Sequence, residues 1–278
     1  MPDKIRLLFL KWPKKGLPFF KFTPFAHLPS YFLFIFKLNF YMRKILFLLL
    51  ALPLLGISQT KNVVSSTRVF PKVDKVAEFE KALAAHAKKY HTGDFKWRVF
   101  EIESGPDAGG YHTTEGPLSW ESIDSRGNLG AEHTNDWNKN VAIYLTDRNA
   151  SSYGVFQEDL STVALTDYAN RILINHMYPK PGMLYEVRNL IMKMKKAWEA
   201  GSESVAVYNA FNSGDPQYSI VTRLKGGLKA YGALKPMDVR YNEVNGAGSW
   251  DSYIADYTKF VERRWSEMLS YRADLSSK

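Results

Sequence analysis

The strongest constraint on this chain is that residues 59–278 read as one pattern written twice. The text near Arg68 is RVFPKVDKVAEFEKAL, and from Arg171 it is RILINHMYPKPGMLYEVRNLIMKM. Each gives an alternating strand, a proline-containing turn and an amphipathic helix. FKWRVFEIESGPDAGGYHTTEGP then answers to SVAVYNAFNSGDPQYSIVTRL, two strands around Ser104-Gly105 and around Ser213-Gly214. A Trp-led helix follows in both halves, from Trp137 and from Trp250, and both close on one tripeptide, Asp159-Leu160-Ser161 and Asp274-Leu275-Ser276. Correspondences in a single order point to a duplicated unit rather than to chance similarity.

The element order in each half is β-α-β-β-α-β, the ferredoxin-like unit, with expected boundaries 59–165 and 166–278. A helix over 74–90 sets Val76, Phe79, Leu83, His86 and Tyr90 on one stripe; its counterpart over 181–198 sets Leu184, Val187, Ile191, Met194 and Trp198. Strands are expected at Phe95–Ile102 and Val205–Phe211, and a final helix at Ser249–Tyr271 with Ser249 as N-cap. Between the halves' shared elements, the longest insertion is Gly226–Gly248. A lone four-stranded sheet with helices on one face leaves its other face apolar, and a second copy covers it. The expected fold class is therefore α+β, two tandem units pairing within one chain.

Charge separates the first 58 residues from the rest. The formal charge of the chain is +9, but residues 1–58 carry +8 of it and 59–278 only +1. A near-neutral body removes the main support for nucleic-acid binding. Met42-Arg43-Lys44 precedes an apolar run, Ile45–Ile57, and then Ser58. A basic start, 13 apolar residues and small residues at the end describe a secretory signal peptide over 42–58, cleaved after Ser58. Residues 1–41 read as an over-extended start, with Met42 the expected initiator; two apolar runs acting as a membrane anchor are the alternative. Zero cysteines exclude a disulfide framework and thiolate chemistry, and they suit a bacterial periplasmic or extracellular protein with no stable anchor after cleavage.

The stretch Glu115-Gly116-Pro117-Leu118-Ser119-Trp120-Glu121-Ser122, after a strand, helix and glycine-bearing hairpin, resembles the third-strand "W-x-S" region of the dimeric α+β barrel superfamily, which includes antibiotic-biosynthesis-monooxygenase-like domains. In that superfamily two such units pack their sheets into a barrel. The resemblance implies an intramolecular version of that barrel. Its members range from oxygenases, some cofactor-free and working through a few Trp, His and Asn side chains, to haem degraders and proteins with no assigned reaction. The fold alone therefore does not select an activity.

Nothing in the residues themselves names a catalyst. There is no G-x-S-x-G, no H-E-x-x-H and no P-loop, since the Ser104–Gly110 run lacks a Lys-Ser/Thr ending and a following helix. His86 and His91 are five apart, off one helical face, which disfavours a two-ligand helix site, and no metal site is expected. His86 reads as a hydrogen-bonded core residue and His176 as a surface or edge residue; His112 faces either a cavity or solvent. Glu101, Glu103, Glu115, Glu121 and Asp124 read as a solvated sheet edge. The default site is an apolar pocket between each sheet and its helices, the first lined by Trp97, His112 and Trp120. The expected protein binds a small apolar or aromatic ligand or serves as a structural module, with a homo-oligomer as one of its expected states. The alternative is an oxygenase-like or haem-interacting enzyme of the superfamily.

Overall fold

The computed structural model describes residues 60–278. The expected signal sequence and the preceding 41 residues lie outside the described residues. Eight strands run β1 (Val63–Pro71), β2 (Trp97–Ile102), β3 (Tyr111–Leu118), β4 (Leu145–Phe156), β5 (Arg171–Pro179), β6 (Val205–Ala210), β7 (Gln217–Arg223) and β8 (Val261–Tyr271). The helices are α1 (Val76–Tyr90), α2 (Trp120–Arg126), α3 (Gly130–Asp136), α4 (Leu184–Ala200), α5 (Leu228–Gly232), α6 (Met237–Asn245) and α7 (Ser249–Phe260). Among the described residues no helix is long and apolar enough to cross a membrane.

The strands close into an antiparallel barrel in the order β1-β3-β2-β8-β5-β7-β6-β4. Within the first half the neighbours run β4-β1-β3-β2, and within the second β8-β5-β7-β6. Two short seams join the halves. At one, β2 meets β8 from Phe100 opposite Tyr271 to Ile102 opposite Leu269; at the other, Val155 and Phe156 of β4 meet Asn209 and Tyr208 of β6. Closure removes free sheet edges, which otherwise invite pairing with other chains.

Period-two alternation divides the wall into two faces. Outward residues meet helices. Val69, Val99 and Tyr111 pack with Phe79 and Leu83 of α1, while Met177, Val205, Val207 and Ile220 pack with Leu190, Ile191, Met194 and Trp198 of α4 and with Tyr241 and Tyr253. Burying each such side chain contributes roughly 1.5–3 kcal/mol. Inward residues Phe100, Ile102, Ile172, Ile174 and Leu269 form a third cluster inside the barrel.

The two repeated tripeptides exchange places. Leu160, at the end of the first half, is fully buried in the second half's core, and Ser161 Oγ accepts the Val207 N–H at 2.9 Å. Leu275 enters the first half's core, and Ser276 Oγ accepts the Val99 N–H at 3.0 Å. Each hydroxyl also donates to a carbonyl four residues back, of Gln157 or Arg272. The same sequence thus seals β6 in one place and β2 in the other.

Three expected features differ. Trp137 does not lead a helix: it follows α3 and opens a single π-helical turn, Trp137–Val141. The helix anticipated over 249–271 ends at Phe260, and Val261–Tyr271 is strand β8, paired with β5 over almost its whole length. VERRWSEMLSY is rich in helix formers, and three of its inward positions are Arg263, Trp265 and Glu267. Charged residues turned into the barrel disguise the alternation, and pairing with β5 overrides local propensity. The residue at the N-cap of α7 is Gly248 in the left-handed region (φ 76°), not Ser249, whose hydroxyl instead bonds Asn242 Oδ1.

Candidate functional site

The barrel lumen encloses a cavity of about 370 Å³. Its wall is built from inward positions of all eight strands. Phe100, Ile172 and Ile174 supply an apolar girdle, and Tyr208 and Val221 extend it. Polar groups gather at the two ends.

At the hairpin end stands a buried ionic cluster. Glu267, on β8, has a side chain with no exposure at all. Its Oε2 accepts from Arg68 Nη1 at 2.8 Å, and its Oε1 is in contact with Arg68 Nη2 and lies 2.8 Å from His176 Nε2. Arg68 also donates to Asp107 at 2.5 Å, and Asp107 is bridged in turn by Arg148. The other nitrogen of His176 lies 3.0 Å from Gln217 Oε1, and its ring stacks on Trp265 at 3.9 Å. Burial pushes the Glu267 carboxyl up, but hydrogen bonds from His176 and Arg68 outweigh it and hold the group at about 2. His112 lines the same lumen, opposite Arg68 in the β1–β3 register. Burial and then the Arg68 cation depress it to about 3, so its ring is neutral, and its buried Nδ1 has no hydrogen-bond partner.

At the other end two guanidinium groups lack a carboxylate. Arg223 is buried and donates to the backbone carbonyls of Ala164 and Leu165 at 3.1 and 3.3 Å. Arg98 lies with its guanidinium 3.1 Å from the centroid of the Tyr168 ring, and Arg223 lies 5.7 Å from the same ring. Among the described residues neither has an acidic partner. Burial pushes the Tyr208 phenol up, against the pull of nearby Arg223. Cationic groups without counter-charge in a sheltered wall are costly unless something anionic reaches them.

The three residues expected to share one pocket are separated. His112 faces the lumen. Trp97, one position out of phase with the inward Arg98 on β2, lies on the outer face and stacks on His91 at 3.5 Å. Trp120 opens α2, is 40% exposed and meets the Tyr153 ring at 5.6 Å. A cavity between sheet and helices does exist in the second half, about 530 Å³, lined by Met194, Trp198, Trp250 and Tyr257 among others.

Two further placements correct the sequence reading. His176 is buried inside the barrel rather than at an edge, because β5 is paired on both sides, with β7 and β8. Glu115 is not solvated: it is 5% exposed, accepts from Trp97 Nε1 at 3.0 Å and is bound by Arg126 at 2.5 Å. Arg68, Arg98, Arg223 and Glu267 were invisible as site residues because a charge at an alternating strand position ordinarily marks the solvent face. Their sole signal was phase: Arg98 is in step with Phe100 and Ile102.

No protein-family model matches the sequence, and no curated protein matches it. Solved structures do. An anthrone oxidase-like protein superposes with a TM-score of 0.50 at 12% identity, covering 77% of this chain and 92% of that one. A monooxygenase-like protein of Fusobacterium nucleatum gives 0.49 at 10%, covering 75% and 91%. One of Lactobacillus acidophilus gives 0.46 at 10%, covering 78% and 95%. At such identity the likeness to the anthrone oxidase-like protein is one of fold, and the fold of this chain is a closed eight-stranded α+β barrel.

Proposed function

We propose that this protein is an exported, internally duplicated α+β barrel whose lumen binds a small aromatic acid. The observation that carries the ligand reading is the pair Arg98 and Arg223, without carboxylate partners, at the end of an apolar lumen. An anion there would meet two guanidinium donors while its ring lay against Phe100, Ile172 and Tyr208. Charge-assisted hydrogen bonds of this kind are roughly twice as strong as neutral ones. The duplication is supported by the matching strand orders of the halves and by the reciprocal exchange of their Asp-Leu-Ser ends. Export rests on the sequence of residues 42–58.

The lumen does not fit haem. An axial ligand needs an imidazole nitrogen free to reach iron. Both nitrogens of His176 are engaged, and the Nδ1 of His112 is buried in the wall beside the Arg68–Glu267 pair, which leaves His112 Nε2 as the one remaining lumen imidazole nitrogen among the described residues. A macrocycle would also claim the space of the Arg68, Arg98 and Arg223 side chains. One observation favours a second reading, a cofactor-free oxidation of the bound aromatic: the imidazoles of His112 and His176 share the lumen with the Trp265 indole.

Titration with 9-anthracenecarboxylate, followed by quenching of tryptophan fluorescence, tests the binding. One equivalent is expected to bind with a Kd on the order of 10 µM, about 7 kcal/mol. Ser219→Trp, which fills the lumen from β7, should weaken it at least 30-fold with unchanged far-UV circular dichroism. Equal binding by that variant would place the ligand elsewhere. Oxygen uptake during the titration would favour the oxidative reading, and haemin should give no stoichiometric Soret shift. For export, mass spectrometry of the secreted protein should find Gln59 at the N-terminus; retention of residues 42–58 would reject cleavage.

A further inference from the structure

Three histidines outside the lumen converge between the helices and the outer face of the first sheet. His86 lies on α1, His133 on α3, and His91 immediately follows α1. The five-residue separation of His86 and His91 argues against a shared site only while the chain stays helical. The helix ends at Tyr90, and His91 adopts φ −110°, ψ 85°, bringing its ring centroid to 5.3 Å from that of His86. The His133 ring is 4.8 Å from His86 and 5.5 Å from His91. One nitrogen from each ring lies within 4.8 Å of the other two.

The spacing has a specific meaning. His86 Nε2 and His133 Nε2 are 3.2 Å apart. Two nitrogens bound tetrahedrally to zinc at about 2.0–2.1 Å are separated by roughly 3.3 Å, the edge of that tetrahedron. The outer groups are also those that zinc-bound imidazoles use. Asp136 Oδ2 lies 2.7 Å from His86 Nδ1, and the other oxygen of that carboxylate, Oδ1, accepts from Asn140 Nδ2 at 2.8 Å. A proton on Nδ1 facing that carboxylate leaves the Nε2 lone pair available. Glu115 Oε2 lies 3.4 Å from His91 Nδ1, and its carboxylate is anchored by Trp97 and Arg126. Arg126 also reaches His91 Nδ1 at 3.2 Å, so two tautomers compete in the free protein; a cation on Nε2 would select the one facing Glu115.

A second observation is independent of the spacing. His91 is 2% exposed, and its Nε2 is buried with no hydrogen-bond partner. Leaving such a group unsatisfied is unfavourable, because it has given up its water without gaining a partner. His86 is 1% exposed, whereas His133 is half-buried, which leaves an approach from the α3 side. Tyr90, Trp97 and Trp137 enclose the three rings.

We propose that His86, His91 and His133 form a three-histidine site for a zinc-type divalent cation, with a fourth position left to water. Neutral imidazole without thiolate suits zinc, copper or nickel more than magnesium or calcium. Three protein ligands and one open position are the arrangement of reactive rather than closed structural zinc sites. The site is separate from the lumen and does not depend on what the lumen binds.

The test uses the chelator-stripped full chain carrying no polyhistidine tag, titrated with zinc chloride by calorimetry and checked for bound metal by mass spectrometry under native conditions. One equivalent is expected. His86→Ala, His91→Ala and His133→Ala should each weaken binding at least 100-fold, while His112→Ala and His176→Ala leave it within 3-fold. Should the buried-residue variants fail to fold, His133→Gln carries the test at the half-buried ligand. Asp136→Asn should weaken binding 10- to 100-fold with all three ligands intact. Substoichiometric zinc, or binding that survives His133→Gln, would overturn the proposal and leave His86–His133 as a hydrogen bond between rings.

Discussion

Glu267→Leu is expected to lower stability by about 3–5 kcal/mol, the usual consequence of stripping one partner from a buried ion pair. Leucine fills similar space but leaves Arg68 with Asp107 as its remaining acid and takes from His176 its carboxylate partner. For a domain of this size about 2–4 °C follows each kcal/mol, so Tm should fall by roughly 6–20 °C. Glu267→Gln, which keeps acceptor geometry without charge, should lose less. The acid limb gives an independent check. The carboxyl is held at about 2, below its ordinary 4.5, so its contribution is complete above about pH 4.5 and disappears as pH falls toward 2. The difference corresponds to roughly 3 kcal/mol at 1.36 kcal/mol per pH unit. Denaturant titrations at pH 6, 4, 3 and 2 should show wild-type and Glu267→Gln converging as acid is added. Equal stability at pH 6 would remove the cluster from any structural role.

The second large effect concerns recognition. The double variant Arg98→Met, Arg223→Met should weaken binding of 9-anthracenecarboxylate at least 100-fold, about 2.7 kcal/mol, because hydrogen bonds to charged groups contribute roughly 1.5–3 kcal/mol each. Methionine keeps much of the aliphatic stem that packs along the wall, so the loss reports charge rather than volume. A neutral analogue, 9-anthracenemethanol, should change less than 3-fold between the two proteins. Both results come from the same fluorescence titration. If acid and alcohol weaken together, the arginines shape the wall and do not recognise an anion. If neither changes, the ligand reading fails at this end of the lumen. Wild-type affinity for the acid should also fall only modestly between 50 and 200 mM salt, since sheltered charges are screened less than exposed ones.

The site was harder to read than the fold because its chemistry sits where strand patterning puts apolar residues. Arg68, Arg98, Arg223 and Glu267 alternate correctly for inward positions, yet one strand cannot say which of its two faces is inside. His112 was singled out and does line the lumen; Trp97, one register position out of phase with Arg98, lies on the opposite face. The histidine cluster has a faint local sign in His133 and Asp136, one turn apart on α3 and both directed at His86. The larger part of it depends on where α1 stops.

Local pattern was enough to recover the strands and helices in order, the hairpins, and the buried stripes Phe79, Leu83 and His86 of α1 and Val187, Ile191, Met194 and Trp198 of α4, because these follow from periods of 2 and 3.6 within a few residues, though Val76 of the expected stripe is exposed. It was also enough to place nearly all net charge in the first 58 residues. Barrel closure decided the rest. It turned Val261–Tyr271 from a helix-forming text into a strand, set the β2–β8 and β4–β6 seams, and buried Glu267 against Arg68 across 199 positions of sequence. It also packed each half's closing leucine into the other half's core. Such pairings have no local signature: their free energy comes from surfaces that exist only once both sheets have folded against each other.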